Sequence, residues 1–227
     1  MQRCIGKGSN GTVFEAVDTL TSELVAVKIG FCYVSLSNEI RGYKAICGGF
    51  GFPALLSSGY YENKHYIAMS CLGPSIADLL KYSGGQFNGY TVRVLGAQTL
   101  DRLRAVHDKG FTHGSVKSAN LCMGLGRRGR TLYLVDFGSV SRIDGRSPSI
   151  NSSATWKSIN RHNGERHCMR DDIESWFYCL LEWLEGGLPW NDSRTSNMQM
   201  AALKKMQGGA FSAQTRTRRG MEAYQRS

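Results

Sequence analysis

Four short runs hold residue types suited to handling phosphate, and they follow one another in a single order. Ile5-Gly6-Lys7-Gly8-Ser9-Asn10-Gly11-Thr12-Val13 places glycines where backbone must turn tightly and approach phosphate oxygens with no Cβ in the way. Lys28 lies seventeen residues after Gly11, within the apolar run Leu24-Val25-Ala26-Val27-Lys28-Ile29. An ammonium there is costly to bury unless it meets anions such as phosphates and a carboxylate, and Glu39 can supply the carboxylate. The third run is His113-Gly114-Ser115-Val116-Lys117-Ser118-Ala119-Asn120, and Asp136-Phe137-Gly138 begins sixteen residues after Asn120. A carboxylate leaving the apolar run Leu132-Tyr133-Leu134-Val135 beside a glycine suits a hard oxygen ligand for Mg²⁺. Asn120 can add a second ligand, and Lys117 a charge against a transferred phosphate. The glycine spacing alone is weak, because it also opens dinucleotide sites. There a strand precedes the loop and a helix follows it, whereas here Thr12 to Val17 is β-type and favours a hairpin over the phosphates.

The elements that must hold these groups show two patterns. Up to about Met69, β-branched and aromatic runs alternate with turns: Thr12 to Val17, Leu24 to Ile29 and His65 to Met69 read as strands. One helical stretch interrupts them, Leu36 to Ile46, where Leu36, Ile40 and Tyr43 recur at helical spacing. After Gly73-Pro74 the period changes. Ser75 to Leu80, Val92 to His107 and Asp172 to Glu185 space their apolar residues three to four apart and begin near Ser, Thr or Asp caps. Between them lie a polar loop at 110–120, the short strand Leu132 to Val135 and a long loop from Ser139 to Ser158 of a length usually reserved for function. From Gln207 onward glycines and the cluster Arg216, Arg218, Arg219 read as a flexible basic tail. The expected class is α+β, a small sheet with one helix followed by a larger, mainly helical part.

Composition narrows the function classes. With 41% apolar residues and four prolines in 227, the chain is not disordered throughout. No leader or spanning run is visible, so membrane partners are excluded and an intracellular location, cytoplasm or nucleus, is expected. Seven scattered cysteines without a CxxC pair fit reduced thiols, and His162, His167 and Cys168, though close, read as a polar loop rather than a metal site. The net charge of +10 sits mainly in residues 101–227, which carry +8 against +2 in residues 1–100. Such a field can steer acidic peptides. Nucleic acid is a disfavoured partner because the basic residues are not interleaved with aromatics.

Taken together, the glycine loop, Val-Ala-Val-Lys, HGSVKSAN and Asp-Phe-Gly resemble a protein kinase. Within kinases the chain resembles the casein kinase 1 group over about residues 5 to 190. That likeness is carried by Leu72-Gly73-Pro74-Ser75, Asn120-Leu121-Cys122-Met123-Gly124, Ser158-Ile159-Asn160, Arg170-Asp171-Asp172-Ile173-Glu174-Ser175 and Leu188-Pro189-Trp190. The His113-Gly114 step and Ser118-Ala119-Asn120 are also similar to the vaccinia-related kinase branch. The resemblance implies a bilobal fold in one domain over residues 1–227, with an antiparallel N-lobe (1–69), a hinge (70–73), a helical C-lobe (74–206) and the tail (207–227), shortened at both ends. It implies ATP and Mg²⁺ as ligands. Ile5 to Val13 would cover ATP, Ala26 and Met69 would line the adenine pocket, Ser70 and Leu72 would offer hinge backbone, and Lys28 would touch the phosphates and Glu39. Asp172 would buttress the catalytic loop from below.

Ser115 stands where the resemblance places a catalytic aspartate. A serine hydroxyl is uncharged at neutral pH and does not take up a substrate proton as a carboxylate does. Gly114 replaces an arginine, as the vaccinia-related branch tolerates, and Thr155 replaces an arginine that helps casein kinase 1 members hold an acidic or phosphorylated residue. Two readings follow. One is a nucleotide-binding, catalytically impaired domain that holds protein partners. The other is a weak serine/threonine kinase acting on a protein substrate.

Overall fold

A computed structural model of the chain describes residues 3–8, 11–30, 33–144, 154–190 and 204. Strands β1 (Arg3–Gly8), β2 (Gly11–Val17), β3 (Leu24–Gly30), β4 (Leu55–Tyr61) and β5 (Lys64–Ser70) form an antiparallel sheet in the order β1-β2-β3-β5-β4. Helix α1 (Tyr33–Ile46) connects β3 to β4. Its Leu36, Tyr43 and Ile46 fall on one face and are fully buried, so the helix is held by packing, as expected for an amphipathic surface helix. In the sheet Lys28 lies opposite Val13 and Ile67, and Ala26 lies opposite Glu15 and Met69. The alternation of a strand sends Ala26 and Lys28 to the same face.

The rest of the chain is mainly helical: α2 (Ile76–Tyr82), α3 (Gly89–Asp108), α4 (Ile159–His162) and α5 (Met169–Glu185). Local chemistry fixes their starts. Ser75 and Asp78 form a capping box at α2, Asn88 Oδ1 accepts from Thr91 N at α3, and Ser158 Oγ accepts from Arg161 N at α4. Two small ladders clamp the polar loop: β6 (Phe111–Thr112) with β9 (Ser141–Arg142), and β7 (Leu121–Met123) with β8 (Leu132–Leu134). One core runs from Ala26, Ile67 and Met69 of the sheet through Phe137 to Leu103, Leu121, Cys179 and Trp183. The linking segment approaches β7 closely: Gly73 N donates to Met123 O at 2.8 Å, and a Cβ on Gly73 would come within 2.9 Å of Gly124 O.

This is the expected α+β class, an antiparallel sheet with a helical second part. The element bounds differ in places. α1 begins three residues before Leu36, α3 begins at Gly89 rather than Val92, and α5 begins at Met169 because Asp171 reaches back to Cys168 N at 2.7 Å. β8 stops at Leu134, since Asp136 turns the chain with φ of +69°. β1, β4, β6, β7, β9 and α4 were not anticipated: β4 reads Leu-Leu-Ser-Ser-Gly-Tyr-Tyr, with no β-branched residue to announce it. Ser9, Asn10, most of the 139–158 loop's middle and the basic tail from Gln207 lie outside the described residues.

Candidate active site

Lys28, Glu39 and Asp136 come from three separate elements and meet at one point. Lys28 Nζ lies 2.6 Å from Glu39 Oε2 and 3.6 Å from Asp136 Oδ1. Burial works against the Lys28 charge, but Asp136 and then Glu39 outweigh it, so its pKa is raised and it stays an ammonium. For Asp136 burial likewise opposes ionisation, and Lys28, Lys117 and His113 overcome it, leaving the carboxyl below its usual range. Glu39 is the group on which burial prevails, pushing its carboxyl up to about 7 despite Lys28. Two acids share one ammonium, and with Glu39 about half protonated near pH 7 the cluster keeps at most a partial negative excess.

That excess bears on a metal. Asp136 Oδ1 and Glu39 Oε1 are buried and accept no hydrogen bond. Among the described residues no group of three or more His, Cys, Asp and Glu could hold an ion unaided. Mg²⁺ is commonly held by one or two carboxylates together with substrate phosphates, so Asp136 with the Asn120 amide fits this ion in the company of phosphate oxygens.

The 113–120 loop is pinned from two sides. Asp172 of α5, 1% exposed, accepts from His113 N at 2.8 Å through Oδ2 and from Gly114 N at 2.9 Å through Oδ1. The same carboxylate meets His107 Nε2 at 2.8 Å and His167 Nε2 at 3.3 Å. Burial opposes its charge, but the hydrogen bonds from His107 and His167 dominate and hold its pKa well below the carboxylate range. Gly114 adopts φ of +76°, and a Cβ there would lie 2.6 Å from Ser139 O and 3.2 Å from the His167 ring. The ring of His167 thus closes on the face that a larger residue at 114 would occupy.

Inside the loop, Asn120 Nδ2 donates to Ser115 O at 2.8 Å and to Ser115 Oγ at 3.1 Å, and approaches Asp136 Oδ2 at 3.4 Å. Ser115 is nearly buried, and the carboxylate reached through Asn120 is Asp136, already engaged by Lys28. A cleft beside Ser115 is lined by Lys117, Trp156, Lys157 and Arg161. Beneath it Glu182 accepts from Ser118 Oγ and Trp156 Nε1, tying α5 to both the loop and the segment before α4.

The anticipated residues therefore converge in part. Lys28, Glu39, Asn120, Asp136 and Ser115 form one cluster, with Lys117 half-buried alongside. Gly8 and Gly11 pair across the tip of the β1–β2 hairpin, with Ile5, Gly6 and Lys7 on β1 and Thr12 and Val13 on β2. Ala26 and Met69 are cross-strand partners in the core, and the Tyr43 hydroxyl sits 3.3 Å from Met69 Sδ. Ser70 is tied through Oγ to Ala54 N at 3.0 Å, and Leu72 is half-buried. Sequence reasoning did not anticipate His107, His167 or Glu182. His167, read as part of a polar loop, instead bonds Thr112 Oγ1 and Asp172. No local pattern signals the pairings of His167 with Thr112 and of His107 with Asp172, because those partners lie more than fifty residues apart.

A comparison with protein families agrees with this geometry. The family model for the protein kinase domain matches residues 1–223. With a lysine–glutamate pair and an Asp-Phe-Gly beside the 113–120 loop, a glycine hairpin on the same sheet as Lys28, and that match over nearly its whole length, the chain belongs to the protein kinase domain family.

Proposed function

We propose that this is a kinase domain of the casein kinase 1 group that takes up ATP with Mg²⁺, transfers phosphate poorly and acts mainly by holding protein partners. It would be one domain, in which residues 1–69 and 74–206 form two lobes joined at 70–73. Lys28 would hold phosphate oxygens, with Glu39 keeping its ammonium in place. Asp136 and Asn120 would hold Mg²⁺, which when bound neutralises phosphate charge. Ser70 and Leu72 would present backbone to adenine, under the hairpin of Ile5 to Val13.

The observation that carries the reading is Ser115 Oγ bonded to the Asn120 amide in place of a carboxylate. A positioned base contributes typically about 10²- to 10⁴-fold, roughly 3 to 5 kcal/mol of barrier. Without it, an incoming hydroxyl in the cleft by Lys117 must lose its proton unaided. Phosphoryl transfer leans on positioning and electrostatics, so Lys117, Asn120 and Asp136 can still support slow turnover.

The test pairs the native chain with Ser115→Asp. Phosphate transfer to casein should rise by at least about a hundredfold in the variant, while ATP with Mg²⁺ raises the melting temperature of both proteins. Equal, brisk transfer by both would establish the alternative, an active serine/threonine kinase. No thermal shift in either would remove nucleotide binding from the proposal.

A further inference from the structure

A second cavity, of about 320 Å³, lies behind the segment that joins the sheet to the helices. It is walled by Gly48, Gly49 and Phe52, by Cys71 and Leu72, and by Leu125 and Tyr133. Of the groups assigned to nucleotide it shares only Ser70 and Leu72, and it contains none of Lys28, Glu39, Asn120 or Asp136. Its volume is at the lower end for a ligand pocket, enough for one or two large apolar side chains.

Its rim includes Arg128, on a turn that carries two further arginines. The turn between β7 and β8 reads Leu125-Gly126-Arg127-Arg128-Gly129-Arg130, and all three arginines are exposed. None of them forms an ion pair among the described residues. Arg128 lines the cavity and its Nη1 donates to Tyr133 Oη at 3.4 Å, which brings the guanidinium to the opening. The turn is closed by hydrogen bonds: Arg128 N bonds Leu125 O at 3.0 Å, Thr131 N bonds Arg128 O at 2.8 Å, and Gln98 of α3 donates to Arg130 O at 3.2 Å. Glu15 is paired with Arg3 at 3.3 Å, and Asp78 accepts hydrogen bonds at the α2 cap. Exposed Phe50, stacked under Arg102 at 4.8 Å, extends an apolar and cationic character to the neighbouring loop.

We propose that this cavity and its arginine rim form a docking site for a short acidic peptide segment of a partner protein, with a leucine or phenylalanine anchored in the cavity. Carboxylates on either side of the anchor would meet Arg127, Arg128 and Arg130. The turn is already fixed in shape, so its ordering cost is not paid on binding. This deepens the partner-holding reading above, because it places the partner away from the nucleotide cleft.

The test uses the full chain and a fluorescein-labelled peptide, Glu-Asp-Glu-Leu-Phe-Asp-Glu, followed by anisotropy. Binding should weaken between about 50 and about 300 mM salt, as screening requires. Arg127→Ala/Arg128→Ala/Arg130→Ala should weaken it by about tenfold or more. Gly49→Leu should do the same by filling the cavity, since a Cβ at Gly49 has only Phe52 Cδ2 near it, at 3.8 Å. A peptide with Gly-Ser in place of Leu-Phe, and a single-stranded oligonucleotide, should bind at least about tenfold more weakly than the anchored peptide. The proposal is overturned if the anchored peptide shows no binding by about 1 mM, if Gly49→Leu leaves its affinity unchanged, or if either control probe binds as well. Melting with and without ATP and Mg²⁺ is recorded for every variant. Peptide binding without a nucleotide shift would uphold this site while removing the nucleotide reading, and the reverse result would do the opposite.

Discussion

Replacing Asp172 by Asn tests the idea that one buried carboxylate holds the 113–120 loop in place. In the native chain its two oxygens accept from His113 N at 2.8 Å, Gly114 N at 2.9 Å, His107 Nε2 at 2.8 Å and His167 Nε2 at 3.3 Å. Asparagine presents one acceptor and one donor, so whichever way the amide turns, its NH₂ faces either His113 N or Gly114 N. Hydrogen bonds to a charged group contribute about 1.5–3 kcal/mol each, and a buried donor left unpaired costs about 1–3 kcal/mol. Removing one partner from a buried charged network typically costs about 3–5 kcal/mol, and that is the figure expected here. For a chain of this size it corresponds to a fall in melting temperature of roughly 6–20 °C. The pH dependence supplies the sign. The folded pKa of Asp172 lies below its unfolded value of 3.8, so its contribution is present above that pH and disappears as the pH falls through the folded value. The gap between native and Asp172→Asn should therefore be constant at neutral pH and shrink in strong acid. Calorimetry across pH measures it, and a drop of less than about 2 °C at pH 7 would refute the reasoning.

Gly114→Ala should destabilise by about 1–3 kcal/mol in urea unfolding, because the backbone is at φ of +76° and the new Cβ meets Ser139 O at 2.6 Å. Glu39→Gln addresses the raised carboxyl: a folded pKa of about 7 against 4.5 unfolded means that its stabilising share is whole below 4.5 and is lost as pH rises through 7. The native melting temperature should thus fall more steeply from pH 6 to pH 8 than that of Glu39→Gln, and parallel slopes would count against this. Lys28→Met should abolish most of the thermal shift produced by ATP with Mg²⁺ while leaving the peptide affinity of the arginine site unchanged, as read by melting and anisotropy side by side.

Much of the architecture is legible locally. Val25-Ala26-Val27 is an apolar, β-branched-rich run that forms a strand, Leu36 and Tyr43 repeat at helical spacing, and Ser75 stands at the N-cap of α2, so these elements carry their own signals within a few residues. The strands that escaped notice are short or carry few β-branched residues, and β4 is held by pairing to β5. The start of α5 differs because its cap position is held by Cys168, and that of α3 because Asn88 caps it ahead of the apolar period.

The amino-acid sequence on its own determined the order of the chemical groups: glycine loop, Lys28, the Ser115 loop and Asp136. Those are statements about residue type and short spacing, and neighbouring residues encode them. The fold alone decided which groups touch. It set Lys28 within 3.6 Å of an acid more than a hundred positions away, joined Asp172 to His107, and laid Arg128 beside a cavity behind the linking segment. Contacts of that range follow from how helices and sheet pack around a shared core, a property of the whole chain that no short stretch of residues contains.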